Sequence, residues 1–200
     1  MKLGLFGGTF DPVHLGHLLL AERCREELDL DEVRFLPAAS NPLKENGPVA
    51  DGKQRCEMAQ FAISGHPQFK VDRREVKRGG PSYAVDTLAE IAAENPGAEL
   101  FFLMGADALA DLPDWKEPQR VLELATVVAV NRGDDTAVVP AALNLGNASQ
   151  VRFVAMPACD YSATDLRRRA GAGMSLRYRT PAAVIAYLYD KNLYRADEGA

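Results

Sequence analysis

The stretch Leu3-Gly4-Leu5-Phe6-Gly7-Gly8-Thr9-Phe10-Asp11-Pro12-Val13-His14-Leu15-Gly16-His17-Leu18-Leu19-Leu20 decides the fold. Leu3 to Phe6 reads as a short buried strand, and Leu18 to Arg23 reads as the opening of a helix. Between them lie Gly7, Gly8, Gly16, Pro12 and two histidines, residues that make a poor core and a good anion site. A strand that feeds a Gly-rich turn and then a helix N-terminus presents free backbone N–H groups and the positive end of a dipole. Phosphate is the expected guest.

Outward from this stretch, strand and helix signals alternate. The first helix ends near Leu28, and Glu32–Pro37 reads as a second strand. Ala38 to Asp51, with Pro42, Asn46, Gly47 and Pro48, is a loop. Gly52–Ser64 has apolar residues at helical spacing with Asp51 as N-cap. A third strand is expected at Phe69–Asp72, and a helix from about Tyr83 to Asn95 that Pro96-Gly97 stops. Leu100–Met104 is a buried strand closed by Gly105. A helix over Gln119–Ala125 and strands at Thr126–Val130 and Val151–Val154 follow, with Gly133–Ser149 the least legible part. Two helices, about Thr164–Ala170 and Ala182–Lys191, finish the chain. Continuous apolar strands alternating with helices imply a doubly wound, mostly parallel α/β sheet covered on both faces. One domain is expected across residues 1–200, with a helical C-terminal part at about 162–195. Ligands of such folds bind beyond the carboxyl ends of the strands, where strand order reverses.

The composition narrows the function classes. A chain of 200 residues with 47% hydrophobic residues can bury a core. Net charge of −5 argues against broad binding to nucleic acid or to a membrane surface. Cys24, Cys56 and Cys159 have no C-x-x-C spacing, so neither a disulfide framework nor a zinc knuckle is indicated. No signal segment or spanning helix is legible, and a cytoplasmic protein is expected.

The usual nucleotide fingerprints are absent: there is no G-x-x-x-x-G-K-[ST] and no G-x-G-x-x-G. His14 and His17 could share a helical face as a metal pair, but zinc needs further ligands and only His66 remains. No protein-bound metal is therefore expected.

The segment G-G-T-F-D-P-x-H-x-G-H resembles the signature of the nucleotidyltransferase superfamily, and most closely that of bacterial nicotinate-nucleotide adenylyltransferases. The resemblance implies a Rossmann-like nucleotidyltransferase fold. It also implies that His14 and His17 contact ATP phosphates, with Gly8, Thr9, Phe10 and Gly16 shaping the loop around them. Asn41-Pro42-Leu43-Lys44 is similar to a family loop that brings Lys44 to the phosphates. Arg55 is similar in placement to a family arginine, and an exposed helix arginine explains it nearly as well. Ser82-Tyr83-Ala84-Val85-Asp86-Thr87-Leu88 resembles the family's S-Y-T-x-D-T-L, with Ala84 in place of threonine. Tyr83 and Thr87 would line the pyridine pocket, where backbone amides take the ring substituent; the plain alternative is an N-cap followed by an exposed turn.

Met104-Gly105-Ala106-Asp107, followed by Trp115, resembles a G-A-D…W pattern, with Gly105 allowing close approach, Asp107 holding ribose hydroxyls and Trp115 stacking on the pyridine. Asp160 to Arg167 looks like I-S-S-T-x-I-R, although Ala163 replaces the second serine. Ser162, Thr164 and Arg167 would form a second phosphate site at a helix start. Asn131-Arg132-Gly133-Asp134 departs from the family's Arg-Pro-Gly turn, which leaves adenine contacts there open.

The implied reaction is adenylyl transfer from ATP to nicotinate mononucleotide, giving deamido-NAD and pyrophosphate in NAD biosynthesis. Mg²⁺ would be bound mainly through ATP phosphates. The amide mononucleotide as substrate, and a silent nucleotide sensor, are the alternatives. Oligomeric state is not legible.

Overall fold

Alternation along the strands divides the apolar residues between two faces, and this builds the molecule. The computed structural model describes residues 1–43, 47–133, 138–143 and 150–195. In chain order its elements are β1 (Lys2–Gly8), α1 (Leu15–Leu28), β2 (Glu32–Pro37), α2 (Gly52–Ala62), β3 (Phe69–Val71), α3 (Arg74–Arg78) and α4 (Ala84–Glu94). They continue as β4 (Glu99–Gly105), α5 (Ala106–Leu109), α6 (Pro118–Leu124), β5 (Thr126–Arg132), β6 (Val151–Met156), α7 (Ala163–Gly171) and α8 (Ala182–Asp190).

The strands form one sheet in the order β3-β2-β1-β4-β5-β6, and every pair is parallel. Parallel neighbours need crossover connections, and the helices supply them. Leu3 and Leu5 of β1, Phe102 of β4 and Val127 of β5 face one core together with Val85 and Leu88 of α4 and Val121 of α6. Phe6, Leu103 and Val128 face the opposite core with Leu20 of α1, Met58 of α2, Leu166 of α7 and Val184 of α8. With both faces covered, the strands must be apolar throughout, which is why they read as runs instead of alternating with polar residues.

Asp51 caps α2 as its sequence suggests, accepting from the Gln54 N–H at 2.8 Å. The helix α3 was not expected. Its five residues, Arg74 to Arg78, have no apolar period to betray it, and polar contacts anchor it instead: Asp72 accepts from the Arg74 backbone N–H at 3.0 Å and from Nε at 2.8 Å. In the least legible stretch the described residues hold one short 3₁₀ turn at Ala141–Leu143. No helix among the described residues is long and apolar enough to cross a membrane.

Strand order reverses between β1 and β4, since the chain steps outward from β1 to β3 on one side and from β4 to β6 on the other. A ligand crevice is expected at this point, beyond the carboxyl ends.

Candidate functional site

A cleft of about 990 Å³ opens there, large enough for a nucleotide and a second ligand in part. Its floor is the β1–α1 loop, from Gly7 to Asp11, with His17. Its walls come from Ala38–Leu43 after β2, Tyr83 and Ala84 at the start of α4, Gly105 and Asp107 after β4, Trp115, Arg132, and Thr164 with Arg167 on α7. The loops after β1 and β4, and the helix start that follows β6, meet as expected of carboxyl-end segments in a doubly wound sheet.

The two histidines hold each other. His14 is the N-cap of α1 and its Nδ1 accepts from the His17 backbone N–H at 3.3 Å, while His17 Nδ1 accepts from the His14 backbone N–H at 3.2 Å. The rings stack with centroids 3.6 Å apart. A neutral imidazole has one donor and one acceptor nitrogen. With Nδ1 accepting in both rings, the proton of each neutral ring sits on Nε2, which becomes a donor. His14 is 3% exposed; burial, with Arg132 nearby, pulls its pKa from 6.5 down to about 4. It therefore stays neutral at physiological pH and keeps this tautomer. A Cβ on Gly16 would come within 3.1 Å of His14 Nδ1, so glycine leaves room for the capping ring.

This self-capping alters the expected anion cradle. In the first turn of α1 the Leu15 N–H donates to the Arg179 carbonyl at 2.9 Å, and the His17 N–H is taken by the His14 ring. The loop thus meets the cleft with the His17 ring, while His14 is buried and the Leu15 and His17 amides are already engaged. Phe10 is buried in the core, edge-on to His17 at 5.1 Å, and supports the ring from below. Thr9 contributes its carbonyl, which accepts from Arg55 at 2.9 Å.

Arg167 projects from the first turns of α7 and donates to the Asp11 carbonyl at 2.7 Å and to Thr164 Oγ1 at 3.2 Å. It is part-exposed to the cleft and faces the histidine loop, as the sequence suggests. Ser162 is the N-cap of α7, and its Oγ accepts from the Asp165 N–H at 3.1 Å; that hydroxyl is engaged, and Ala163 and Thr164 face the cleft instead. Lys44 and Asp134 lie outside the described residues.

Arg55 is no exposed helix residue. It is 1% exposed, and donates to the carbonyls of Ala50 at 3.1 Å, Thr9 at 2.9 Å, Ala38 at 2.5 Å and Ala39 at 3.2 Å. One guanidinium therefore clasps the loops after β1 and β2. Asp11 completes the clasp, its carboxylate accepting from the Val49 and Ala50 N–H groups and the Tyr194 hydroxyl.

On the opposite side Tyr83 lines the cleft under Lys116, whose Nζ lies 4.9 Å from the ring centroid. Trp115 stands edge-on to Phe102 at 5.7 Å. A Cβ at Gly105 would meet Asp107 Oδ1, so glycine leaves that carboxylate its place beside the strand end. Asp107 is exposed in the cleft and free to accept from hydroxyls. Thr87 departs from its expected place. It is 1% exposed, donates to Glu75 at 2.7 Å and accepts from Arg78 at 2.9 Å; it does not line the cleft.

Among the cleft residues to which the sequence reading gave no role are Arg132 and Glu75. Arg132 ends β5, lines the cleft and places its charge near His14. Glu75 lines it from α3. Arg132 falls in the stretch Asn131-Arg132-Gly133-Asp134 whose contacts the sequence left open, just beyond the strand expected at Thr126–Val130; Glu75 sits in a helix with no period and had no signal. Among the described residues no three His, Cys, Asp or Glu side chains converge as a metal cage.

The Cytidylyltransferase-like family matches residues 5–169. A Thermomicrobium roseum protein described as a probable nicotinate-nucleotide adenylyltransferase is 43% identical over 204 residues, covering 98% of this chain and 93% of that protein. A Thermus thermophilus protein of the same description is 45% identical over 198 residues, covering 98% of this chain and 100% of its own. Plasmodium falciparum nicotinic acid mononucleotide adenylyltransferase complexed with NaAD has the same fold, with a TM-score of 0.78, 15% identity, and 96% of this chain and 97% of that chain covered.

Proposed function

The chain belongs to the Cytidylyltransferase-like family and within it to the nicotinate-nucleotide adenylyltransferases, and from that premise we propose how its cleft performs adenylyl transfer from ATP to nicotinate mononucleotide. The products are deamido-NAD and pyrophosphate. An oxygen of the mononucleotide phosphate attacks the α-phosphorus of ATP; the bond from that phosphorus to the bridging oxygen breaks, and pyrophosphate leaves with the electron pair. The attacking phosphate has a second pKa of about 6 and is mostly ionised at neutral pH. No general base is needed, and the work is alignment and charge stabilisation.

The observation that carries this reading is the stacked, mutually capped histidine pair, in which buried His14 holds the ring of His17 in the cleft that Arg167 also lines. The His17 Nε2–H is the donor held for the α-phosphate, and buried His14 fixes that ring by stacking and capping. Arg167 and Arg132 supply fixed positive charge for the polyphosphate. Asp107 accepts from ribose hydroxyls, and Tyr83 and Trp115 enclose the pyridine. Tyr83, the N-cap residue of α4, makes no side-chain cap. The first amides and the positive end of that helix therefore favour a carboxylate over a neutral carboxamide on the ring. Mg²⁺ would be carried on the ATP phosphates and their waters. When bound there, the ion neutralises phosphate charge.

Pyrophosphate release, measured with ATP and each mononucleotide in parallel, tests the reading. Turnover with nicotinate mononucleotide well above that with the amide is expected. Preference for the amide would overturn the substrate, and no release with either would leave a nucleotide sensor.

A further inference from the structure

Two irregular segments border the mononucleotide side of the cleft, Ala38–Leu43 after β2 and the stretch from Gly80 into α4. They are sewn together. Ser40 and Pro81 form an isolated parallel bridge, the Ser82 N–H donates to the Ser40 carbonyl at 2.9 Å, and Ser40 Oγ donates to the Gly80 carbonyl at 3.1 Å. The Ala39 N–H donates to Ser82 Oγ at 2.9 Å, which leaves the Ser82 hydroxyl proton for another acceptor.

Glu75 lies beside it, 6% exposed and bordering the cleft. Its carboxyl accepts from the Thr87 hydroxyl at 2.7 Å; burial pulls its pKa upward, and the nearby Ser82 hydroxyl works against that pull. Thr87 in turn accepts from Arg78, which also grips Glu90 at 2.6 Å. A buried carboxyl is costly to desolvate unless its partners are in place. None of the phosphate-handling groups touches it. Its contacts instead join the first turns of α4, through Thr87, to the seam that carries the β2 loop, through Ser82.

We propose that Glu75 is a positioning residue for the pyridine mononucleotide, holding Gly80–Ala84 against Ala38–Ser40 so that Tyr83 and the first amides of α4 keep their places on the cleft wall. The proposal rests on the adenylyltransferase reading of the cleft. His17, Asp107, Arg132 and Arg167 sit on α1, α5, β5 and α7, and the hydrogen bond of Glu75 to Thr87 reaches none of these elements. The loop after β2 leads on to Lys44, but Arg55 grips its Ala38 and Ala39 carbonyls independently of the seam. Loosening the seam therefore weakens one substrate and spares the other.

Steady-state kinetics varying each substrate, with melting temperatures, test this in Glu75→Ala, Glu75→Gln and Thr87→Val. Glu75→Ala is expected to raise KM for nicotinate mononucleotide ~10-fold, the loss of one good hydrogen-bond tie, with KM for ATP and kcat changed by less than about 3-fold. Glu75→Gln keeps an acceptor for Thr87 and is expected to restore KM to within about 3-fold of wild type. Thr87→Val, which cuts the tie and nearly keeps the shape, is expected to move KM in the same direction, and it carries the test if Glu75→Ala fails to fold. Equal changes in both KM values, an unchanged KM, or a Gln variant as impaired as Ala would overturn the proposal. Wild-type turnover in the same assay tests the underlying reading separately.

Discussion

At the scale of single residues, the histidine pair shows how one contact serves structure and chemistry together. Each ring caps the other's backbone, and each cap assigns the proton to Nε2. His17→Ala removes a donor aimed at the cleft, and kcat is expected to fall by ~10²–10³; turnover near wild type in a folded variant would remove His17 from the reaction. His14 makes a pH prediction. Its folded pKa of about 4 lies below the ordinary 6.5, so between these values the unfolded chain binds more protons and stability rises with pH. Acidification from pH 6.5 to 4 should therefore cost about 3 kcal/mol, at about 1.4 kcal/mol per pH unit. Burial holds the Glu75 carboxyl above its ordinary range, which acts in the opposite sense. His14→Asn, which can still cap α1, isolates the histidine: its melting temperature should fall less over that interval.

At the scale of elements, the loops after β1 and β2 have no regular hydrogen bonding of their own, and α2 holds them through Arg55. Arg55→Met keeps much of the stem's bulk and abandons four carbonyls and the Asp11 charge. A loss on the order of 3–5 kcal/mol is expected in denaturant unfolding. Arg55→Lys should not rescue it, because a single ammonium cannot span the loops that a guanidinium fork reaches. The sequence left two readings of this arginine, and burial selects between them. The start of α1 makes a similar point. Its Gly-rich approach suggests a row of free amides, yet the Leu15 and His17 amides are spent on the Arg179 carbonyl and on the His14 ring, partners that the local spacing does not show.

At the scale of the whole molecule, the C-terminal part holds the site closed from behind. Thr180 Oγ1 donates to the Val13 carbonyl at 2.8 Å, and the Tyr194 hydroxyl donates to Asp11 at 2.5 Å. Tyr194→Phe removes a hydrogen bond to a charged acceptor and should cost about 1.5–3 kcal/mol in unfolding experiments. Because Asp11 also meets Arg167 through its carbonyl, the same variant should lower kcat/KM while leaving the sheet intact.

By itself the sequence determined the parallel sheet, its longer helices and the strand ends at which the cleft opens. Strand runs such as Leu100–Met104 record burial on two faces, and the loop from Gly7 to His17 marks the strand end where ligands gather. Tertiary structure decided which polar groups are available there. Arg55 and Thr87 turn inward, Arg132 and Glu75 turn toward the cleft, and Asp11 closes on a tyrosine 183 positions away. Periodicity reports which face of an element is buried, because that depends on neighbours in the chain. A polar side chain's partner is chosen by geometry between distant segments, and only the folded molecule brings those segments together.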